Sequence, residues 1–472
     1  MMTKRNCCIK SLAGLLLVLM ISFGTAAWAD SGGVTLEVGA DTPVVKAGEG
    51  SRITVRVLVK PERRERETRA PLAVALVLDK SGSMASEEKM DYAKLGALEA
   101  LKILDANDIA AVVVYDEKAR VAVRARPVGK GNKEPVFALG IKRIKPSGMT
   151  ALYDGVVLGA KQLEPFVKEG FIPRIVMLSD GVANVGPSTT RELAALGRKL
   201  ARTEMTITTI GLGLDYHEDL MTALAAESGG NAYFARTSRM LKDIFARDME
   251  DAVTLTARKV RVKVRGLGGA RPERAVGRTG RAEDGVIEVS IDNLYSTEKY
   301  ALVELELPGG EPGTTLEAAE VELEYVDPES GEKIVKKSPL TLAFTEDEDE
   351  VEKNRRQEIA SQAALARNAE IREEAVRLAD EGRAEEAAKM LGERTRQLRM
   401  LAPMMGSSAP AMEMESAAFD ELADSLISEG GLSNVDRKTV LNEAYMLKSQ
   451  QSAIVTTDSD EDEYEDEYDD ED

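Results

Sequence analysis

The sequence predicts an α/β domain set between the strands of a β-sandwich and followed by an α-helical C-terminal region. Three observations carry this. Between Pro71 and Ala252 four continuous apolar runs, LAVALVL, IAAVVVY, RIVMLS and MTITTIGL, alternate with amphipathic stretches. Strands apolar on both faces and separated by helices make a mostly parallel sheet wrapped by helices. On either side of that block the period changes to two: Ile53, Val55, Val57 and Val59 precede it, and Val260, Val262 and Val264 follow it. That is the pattern of half-buried antiparallel strands. From Val351 onward Ala, Glu, Arg and Leu dominate, a helical composition.

Taken in order, residues 1–29 read as a signal peptide. Lys4, Arg5 and Lys10 give a positive start, Leu12 to Phe23 an apolar stretch shorter than a membrane span, and Ala27-Trp28-Ala29 a small-x-small end before Asp30. Residues 30–70 supply strands that join the sandwich and end in the charged loop PERRERETRA. The α/β block occupies 71–252 and includes a helix over Glu87 to Leu104 with Met90, Ala93, Ala97, Leu101 and Leu104 on one face. Residues 253–346 hold five alternating runs and complete the sandwich. The α/β block is then an insertion, which requires its two ends to lie close together. Residues 347–400 form a helical hairpin turning at Gly382. Residues 401–456 are a Met/Pro/Ser/Gly linker, Leu401 to Met414, followed by short helices near Ala417–Ile427 and Asn434–Leu447. Residues 457–472 form an acidic tail, expected to be disordered by self-repulsion.

A chain of 472 residues holds more than one domain. Of the net charge of -20, twelve acids fall in Asp458–Asp472, which has no base. An acidic surface repels phosphates and argues against nucleic acid as a partner. Cys7 and Cys8, the two cysteines, lie in the signal segment, so the mature chain carries no disulfide. No later stretch is apolar enough to cross a bilayer. The expectation is an exported chain, periplasmic or secreted, with no transmembrane segment after cleavage.

The chemistry concentrates where the first buried run ends. LVLDKSGSM places Asp79, Ser81 and Ser83 on alternate residues directly after a strand. In open parallel sheets ligands bind beyond the carboxyl ends of the strands. Carboxylate and hydroxyl oxygens are hard donors suited to Mg²⁺, Ca²⁺ or Mn²⁺. Asp, Ser and Gly also make ordinary turns, so DxSxS gains weight from the rest of the chain. IKPSGMTALYDG puts Thr150 in a Gly-containing loop before a helix, and RIVMLSDGVANVG puts Asp180 directly after another buried strand. All five can lie on one edge of the sheet.

With these motifs the chain resembles the von Willebrand factor type A family, whose fold is Rossmann-like. Asp79, Ser81, Ser83, Thr150 and Asp180 match that family's metal-ion-dependent adhesion site position by position, and the resemblance runs from about Pro71 to Ala252. It implies a divalent cation, Mg²⁺ before Ca²⁺ or Mn²⁺, bound directly by the hydroxyls of Ser81, Ser83 and Thr150, with Asp79 and Asp180 acting largely through waters. It also implies a protein partner that contributes an Asp or Glu to the ion. The expected function is an exported, metal-dependent protein-binding module. The alternative is an envelope-complex scaffold or assembly factor that binds mainly through its helical C-terminal region.

Other signals point less far. His217 is the single histidine, and GxSxG and HExxH are absent, which leaves no support for a hydrolytic triad or a zinc protease. A phosphotransferase nucleophile at Asp79 would be joined by a second Asp two residues on, where Ser81 stands. The chain is therefore not expected to be an enzyme. Met400, Met404, Met405, Met412 and Met414 suit flexible packing better than a thioether metal site.

Overall fold

A computed structural model describes residues 33–62, 69–129 and 135–450. The signal segment and the acidic tail lie outside the described residues. The N-terminal strands are β1 (Val34–Ala40), β2 (Val44–Lys46) and β3 (Ser51–Pro61). The α/β block follows as β4 (Leu72–Asp79), α1 (Lys89–Ile103), β5 (Ile109–Tyr115), β6 (Ala119–Pro127), α2 (Pro135–Lys142), α3 (Leu152–Val167), β7 (Ile172–Ser179), α4 (Thr190–Arg202), β8 (Thr206–Leu212), α5 (Glu218–Ser228), β9 (Ala232–Ala235) and α6 (Leu241–Val253). The chain then returns to β10 (Ala257–Gly266), β11 (Arg271–Val276), β12 (Gly280–Glu283), β13 (Val286–Leu294), β14 (Lys299–Leu307), β15 (Thr315–Val326) and β16 (Lys333–Thr345). It ends in α7 (Glu348–Asn354), α8 (Gln357–Asp380), α9 (Ala384–Leu401), α10 (Ala409–Glu429) and α11 (Asn434–Ser449).

The central sheet runs β6-β5-β4-β7-β8-β9 and is parallel except for β6, which pairs antiparallel with β5. β4 lies in its middle and is buried along its whole length. Its alternate side chains feed two cores. Leu72, Val74, Leu76 and Leu78 join the layer of α1 and α6, and Ala73, Ala75 and Val77 join the layer of α3, α4 and α5. The period of two along a strand produces this split, and it explains why β4 reads as one unbroken apolar run. On the second face α3 comes very close: a Cβ on Gly155 would stand 2.7 Å from the Tyr115 ring.

The two sandwich sheets are β1-β3-β14-β11 and β12-β13-β10-β15-β16-β2. The segment before the α/β block therefore serves both sheets, β1 and β3 in one and β2 in the other. Their inner faces share a core that includes Val55, Val57, Val262, Val264, Leu323 and Leu342. The α/β block sits between β3 and β10 as an insertion, as the periods imply. Seven strands, not five, follow the block. RPERAV and GRAE form β11 and β12; their short, charged sequences suit sheet edges and carry no alternation to read.

The stretch 401–414 is corrected from linker to structure. Two short 3₁₀ turns at Ala402–Met404 and Gly406–Ser408 lead straight into α10, which starts at Ala409. Pro410 is tolerated there because first-turn N–H groups have no helical partner. Met405 and Met412 are buried in the helical core with Leu391, Leu398 and Phe419, so two of the five methionines pack, while Met400, Met404 and Met414 stay exposed.

The inserted domain is tied to the rest by buried polar contacts. Arg174 of β7 and Asp248 of α6, 3% and 0% exposed, form an ion pair. The same guanidinium donates to the Tyr295 hydroxyl at 2.8 Å and to Thr208 Oγ1 at 3.1 Å. From the helical region, the buried Lys438 donates to the Tyr216 carbonyl at 2.6 Å and pairs with Glu218. Removing one partner of a buried pair strands the other charge. Asp248→Ala is expected to destabilise the protein by about 3–5 kcal/mol, read as a lowered urea midpoint; a change under about 1 kcal/mol would contradict a structural role for the pair.

Candidate metal centre

Asp79 is the last residue of β4 and is fully buried. A buried carboxylate needs donors, and the local sequence supplies them. The Ser81 backbone N–H donates to one oxygen at 2.7 Å, closing a tight turn, and Ser179 Oγ donates to the other at 2.8 Å. Burial still dominates and pushes the Asp79 carboxyl up to about 6, the bonds from Ser81 and Ser179 opposing it and the nearby Asp180 charge adding to it.

The turn places the hydroxyls of Ser81 and Ser83 3.0 Å apart, and Ser83 Oγ donates to Asp180 Oδ1 at 2.7 Å. Asp180 follows β7, the immediate neighbour of β4, so its loop opens on the same edge. Four of the five expected residues are thus joined directly: Asp79 with Ser81, Ser81 with Ser83, and Ser83 with Asp180.

Thr150 arrives by another route. Its loop is stitched to the Asp79 turn by backbone bonds from Ser147 N to the Lys80 carbonyl at 2.6 Å and from Gly82 N to the Gly148 carbonyl at 3.1 Å. Gly148 has φ +79°, a conformation glycine adopts without strain. On the other side Thr150 N donates to Asn184 Oδ1 at 2.9 Å, and Asn184 N donates back to the Thr150 carbonyl at 3.2 Å. The Thr150 loop is therefore clamped between the loops that carry Asp79 and Asp180. At their meeting point stands Gly181. A Cβ there would lie 3.6 Å from Ser83 Oγ and 3.8 Å from Thr150 Oγ1, so both hydroxyls border the same spot, which no side chain of residue 181 fills.

The rim is braced by charge. Lys80 pairs with Asp116 and donates to Ser147 Oγ at 2.7 Å, while the Asp116 carbonyl accepts from Ala151 N at 2.7 Å. Burial would raise the Asp116 carboxyl, but Lys80, the Lys118 N–H and Arg120 hold it down to about 2.

Beyond the Lys80–Asp116 brace, four more residues that the sequence does not single out contribute. Ser179, Asn184 and Tyr115 support the ring of donors, Tyr115 by donating its hydroxyl to the Leu178 carbonyl at 2.8 Å. The fourth is Lys89. Glu87 and Glu88 adopt left-handed φ of 53° and 52°, so the helix starts at Lys89, not at Glu87, and the lysine turns inward. It is 6% exposed and its ammonium lies 3.2 Å from Asp180 Oδ2. In the string SEEKM it looks like a solvated residue, and only those two backbone angles reveal otherwise. His217, by contrast, is exposed at the start of α5, away from this cluster's hydrogen bonds.

Among the described residues no group of three or more His, Cys, Asp or Glu is placed to hold a metal ion. The donors at this rim are instead three hydroxyls backed by two carboxylates, a set of hard oxygens that fits a hard divalent cation and not a soft one.

An α/β domain with a buried Asp at the end of its central strand and a hydroxyl-rich rim defines a class, and the family model agrees. Residues 73–247 match the von Willebrand factor type A domain; the chain carries such a domain. An uncharacterized protein of Synechocystis is 26% identical over 306 residues, covering 62% of this chain and 71% of that one. Human inter-alpha-trypsin inhibitor heavy chain H4 is 27% identical over 173 residues, 35% of this chain but 18% of that protein's length. Among solved structures, a von Willebrand factor type A protein from Catenulispora acidiphila has a TM-score of 0.68 at 16% identity, covering 88% of this chain and 96% of its own. The ArnB paralog VWA2 from Sulfolobus acidocaldarius has a TM-score of 0.55 at 19% identity, covering 88% and 98%. These likenesses extend beyond the α/β block and show a shared fold for most of the chain.

The raised Asp79 carboxyl has a thermodynamic consequence. Between its ordinary 3.8 and about 6 the folded protein holds a proton that the unfolded chain has released. Stability of the metal-free protein therefore falls as pH rises through that window, by about 3 kcal/mol from this group. Subtracting the urea-stability profile of Asp79→Asn from that of the unaltered protein should isolate this decline; a flat difference between pH 4 and 6 would contradict it.

Proposed function

We propose that the chain is an exported, non-catalytic binding module that docks an acidic residue of a protein partner through a divalent cation, Mg²⁺ before Ca²⁺ or Mn²⁺, at the rim formed by Asp79, Ser81, Ser83, Thr150 and Asp180. The observation that supports this most is the donor balance. Two carboxylates stand behind three neutral hydroxyls, so a bound cation has few direct anionic ligands, stays electrophilic and can accept a carboxylate from outside. Such a cation supplies electrostatic attraction and an open coordination position. The protein's own residues do the rest. Ser179 and the Ser81 N–H fix Asp79, Asp180 fixes the Ser83 hydroxyl, and Asn184 with the Lys80–Asp116 pair fixes the Thr150 loop. A partner carboxylate meeting the ion inside an interface is shielded from water, which strengthens the contact. The sandwich and helical region hold the module and offer additional surface. Export rests on the signal-type sequence of residues 1–29.

The test is capture from an envelope extract in Mg²⁺, followed by EDTA. The partner should be released by EDTA and should not be captured by Thr150→Ala, whose far-ultraviolet spectrum should be unchanged. A partner that stays bound in EDTA would overturn metal-dependent docking and point to the helical C-terminal region as the contact surface. Because ligating groups must be deprotonated, Mg²⁺ affinity measured by calorimetry should fall about tenfold per pH unit below about pH 6 and level off above it; affinity independent of pH from 4 to 7 would count against Asp79.

Lys89 tunes the same site. Its ammonium offsets one of the two carboxylates, so Lys89→Met should tighten Mg²⁺ binding by about tenfold, as expected when a like charge a few ångströms away is removed in a partly shielded site. Weaker binding in that variant would show instead that the ammonium orders Asp180.

A further inference from the structure

A cavity of about 960 Å³, lined by none of the five rim residues, opens where the α/β domain, the sandwich and the helical region meet. It is large enough for a small organic molecule, and junctions of this kind are where such sites form. Its walls come from all three parts: Asn231 from the α/β domain, Arg278 and Lys299 from the sandwich, and Tyr445 and Lys448 from α11.

Most charges around it are spoken for. Arg437 pairs with Asp219 and Asp380, and Lys448 with Glu373. Arg278 and Lys299 differ. The Arg278 guanidinium donates to the Ser449 carbonyl at 3.2 Å, and its Nε is buried with no acceptor among the described residues. Lys299 lies over the Tyr295 ring, 5.8 Å from its centre. Asp292 and Asp251 act on Lys299 through space, without an ion pair or hydrogen bond to it. Burial pulls the Lys299 ammonium down to about 8, and the neighbouring Arg278 charge adds to that effect. A cationic pair in which neither member is matched by a contacting carboxylate among the described residues is costly, and an acceptor-rich anion would relieve it. The guanidinium presents a planar fork and the ammonium a point charge, which together suit a carboxylate.

We propose that this cavity is a binding site for a carboxylate-bearing anion, held by Arg278 and Lys299 with Asn231 and Tyr445 as polar flanks. Two sources carry that chemistry. One is a free small polycarboxylate. The other is the chain's own terminus, because α11 ends at Ser449 beside Arg278 and the twelve acids of Asp458–Asp472 follow in sequence. The site is independent of the metal rim.

Calorimetry with tricarballylate in metal-free buffer tests this on the full chain and on a full chain whose acids in 458–472 are replaced by Asn and Gln. Saturable binding is expected in at least the second, weakened about tenfold or more in Lys299→Met and in Arg278→Gln, with ligand-free melting temperatures near that of the parent. Asp79→Asn should bind as the parent does, which separates this site from the metal site. Tighter binding after neutralising the acids would identify the chain's own terminus as the competing occupant; equal binding would leave the free acid as the ligand. No saturable binding in either chain, or binding kept in both cavity variants, would overturn the proposal.

Discussion

The structure of the rim depends on one carboxylate placed where it is hardest to keep. Asp79 ends the most buried strand of the central sheet, and its charge is exposed to almost no water. Such a group persists when its lone pairs are met by donors. Meeting them fixes the Ser81 turn on one side and Ser179 of the next strand on the other. Once these are fixed, the hydroxyls of Ser81 and Ser83 are aimed, Asp180 is drawn in through Ser83, and the rim has its shape. The Thr150 loop adds the remaining hydroxyl through backbone bonds to both neighbouring loops. Positioning by main chain and short side chains leaves little freedom, which is what preorganised binding needs.

The same logic extends outward. A domain inserted into a sandwich is joined by two chain crossings, which alone leave it free to pivot. Here the Arg174–Asp248–Tyr295 network and the Lys438–Glu218 pair fill the junction with satisfied polar groups. The helical region is thus part of the frame around the α/β domain, and a partner docked at the metal rim would meet a rigidly held module. The cavity at that junction is lined by a group, Arg278, whose polar satisfaction among the described residues is incomplete.

Much of this was legible in the sequence because the signals are local and periodic. The doubly buried strands, the alternating sandwich strands before and after them, and the DKSGS turn each announce themselves within ten residues. Thr150 in a loop before a helix and Asp180 directly after a buried strand could be read as able to share the edge of Asp79; backbone and side-chain bonds bring them there. What could not be read was set by tertiary contacts. β11 and β12 are edge strands whose charged residues face solvent and leave no alternation. The turn of Lys89 into the site follows from two left-handed glutamates, a conformation no composition rule favours. The methionine-rich stretch at 401–414 looks irregular, yet Met405 and Met412 are held by the apolar faces of α9 and α10.

The central claim is that three hydroxyls from two loops, backed by Asp79 and Asp180, form one seat for a hard cation. Anomalous diffraction from crystals soaked in Mn²⁺ tests it most directly. The account predicts a single strong peak beside Gly181, with Ser81, Ser83 and Thr150 oxygens at about 2.0–2.4 Å. A map with no peak there, and the Lys89 ammonium still on Asp180 at saturating Mn²⁺, would contradict it.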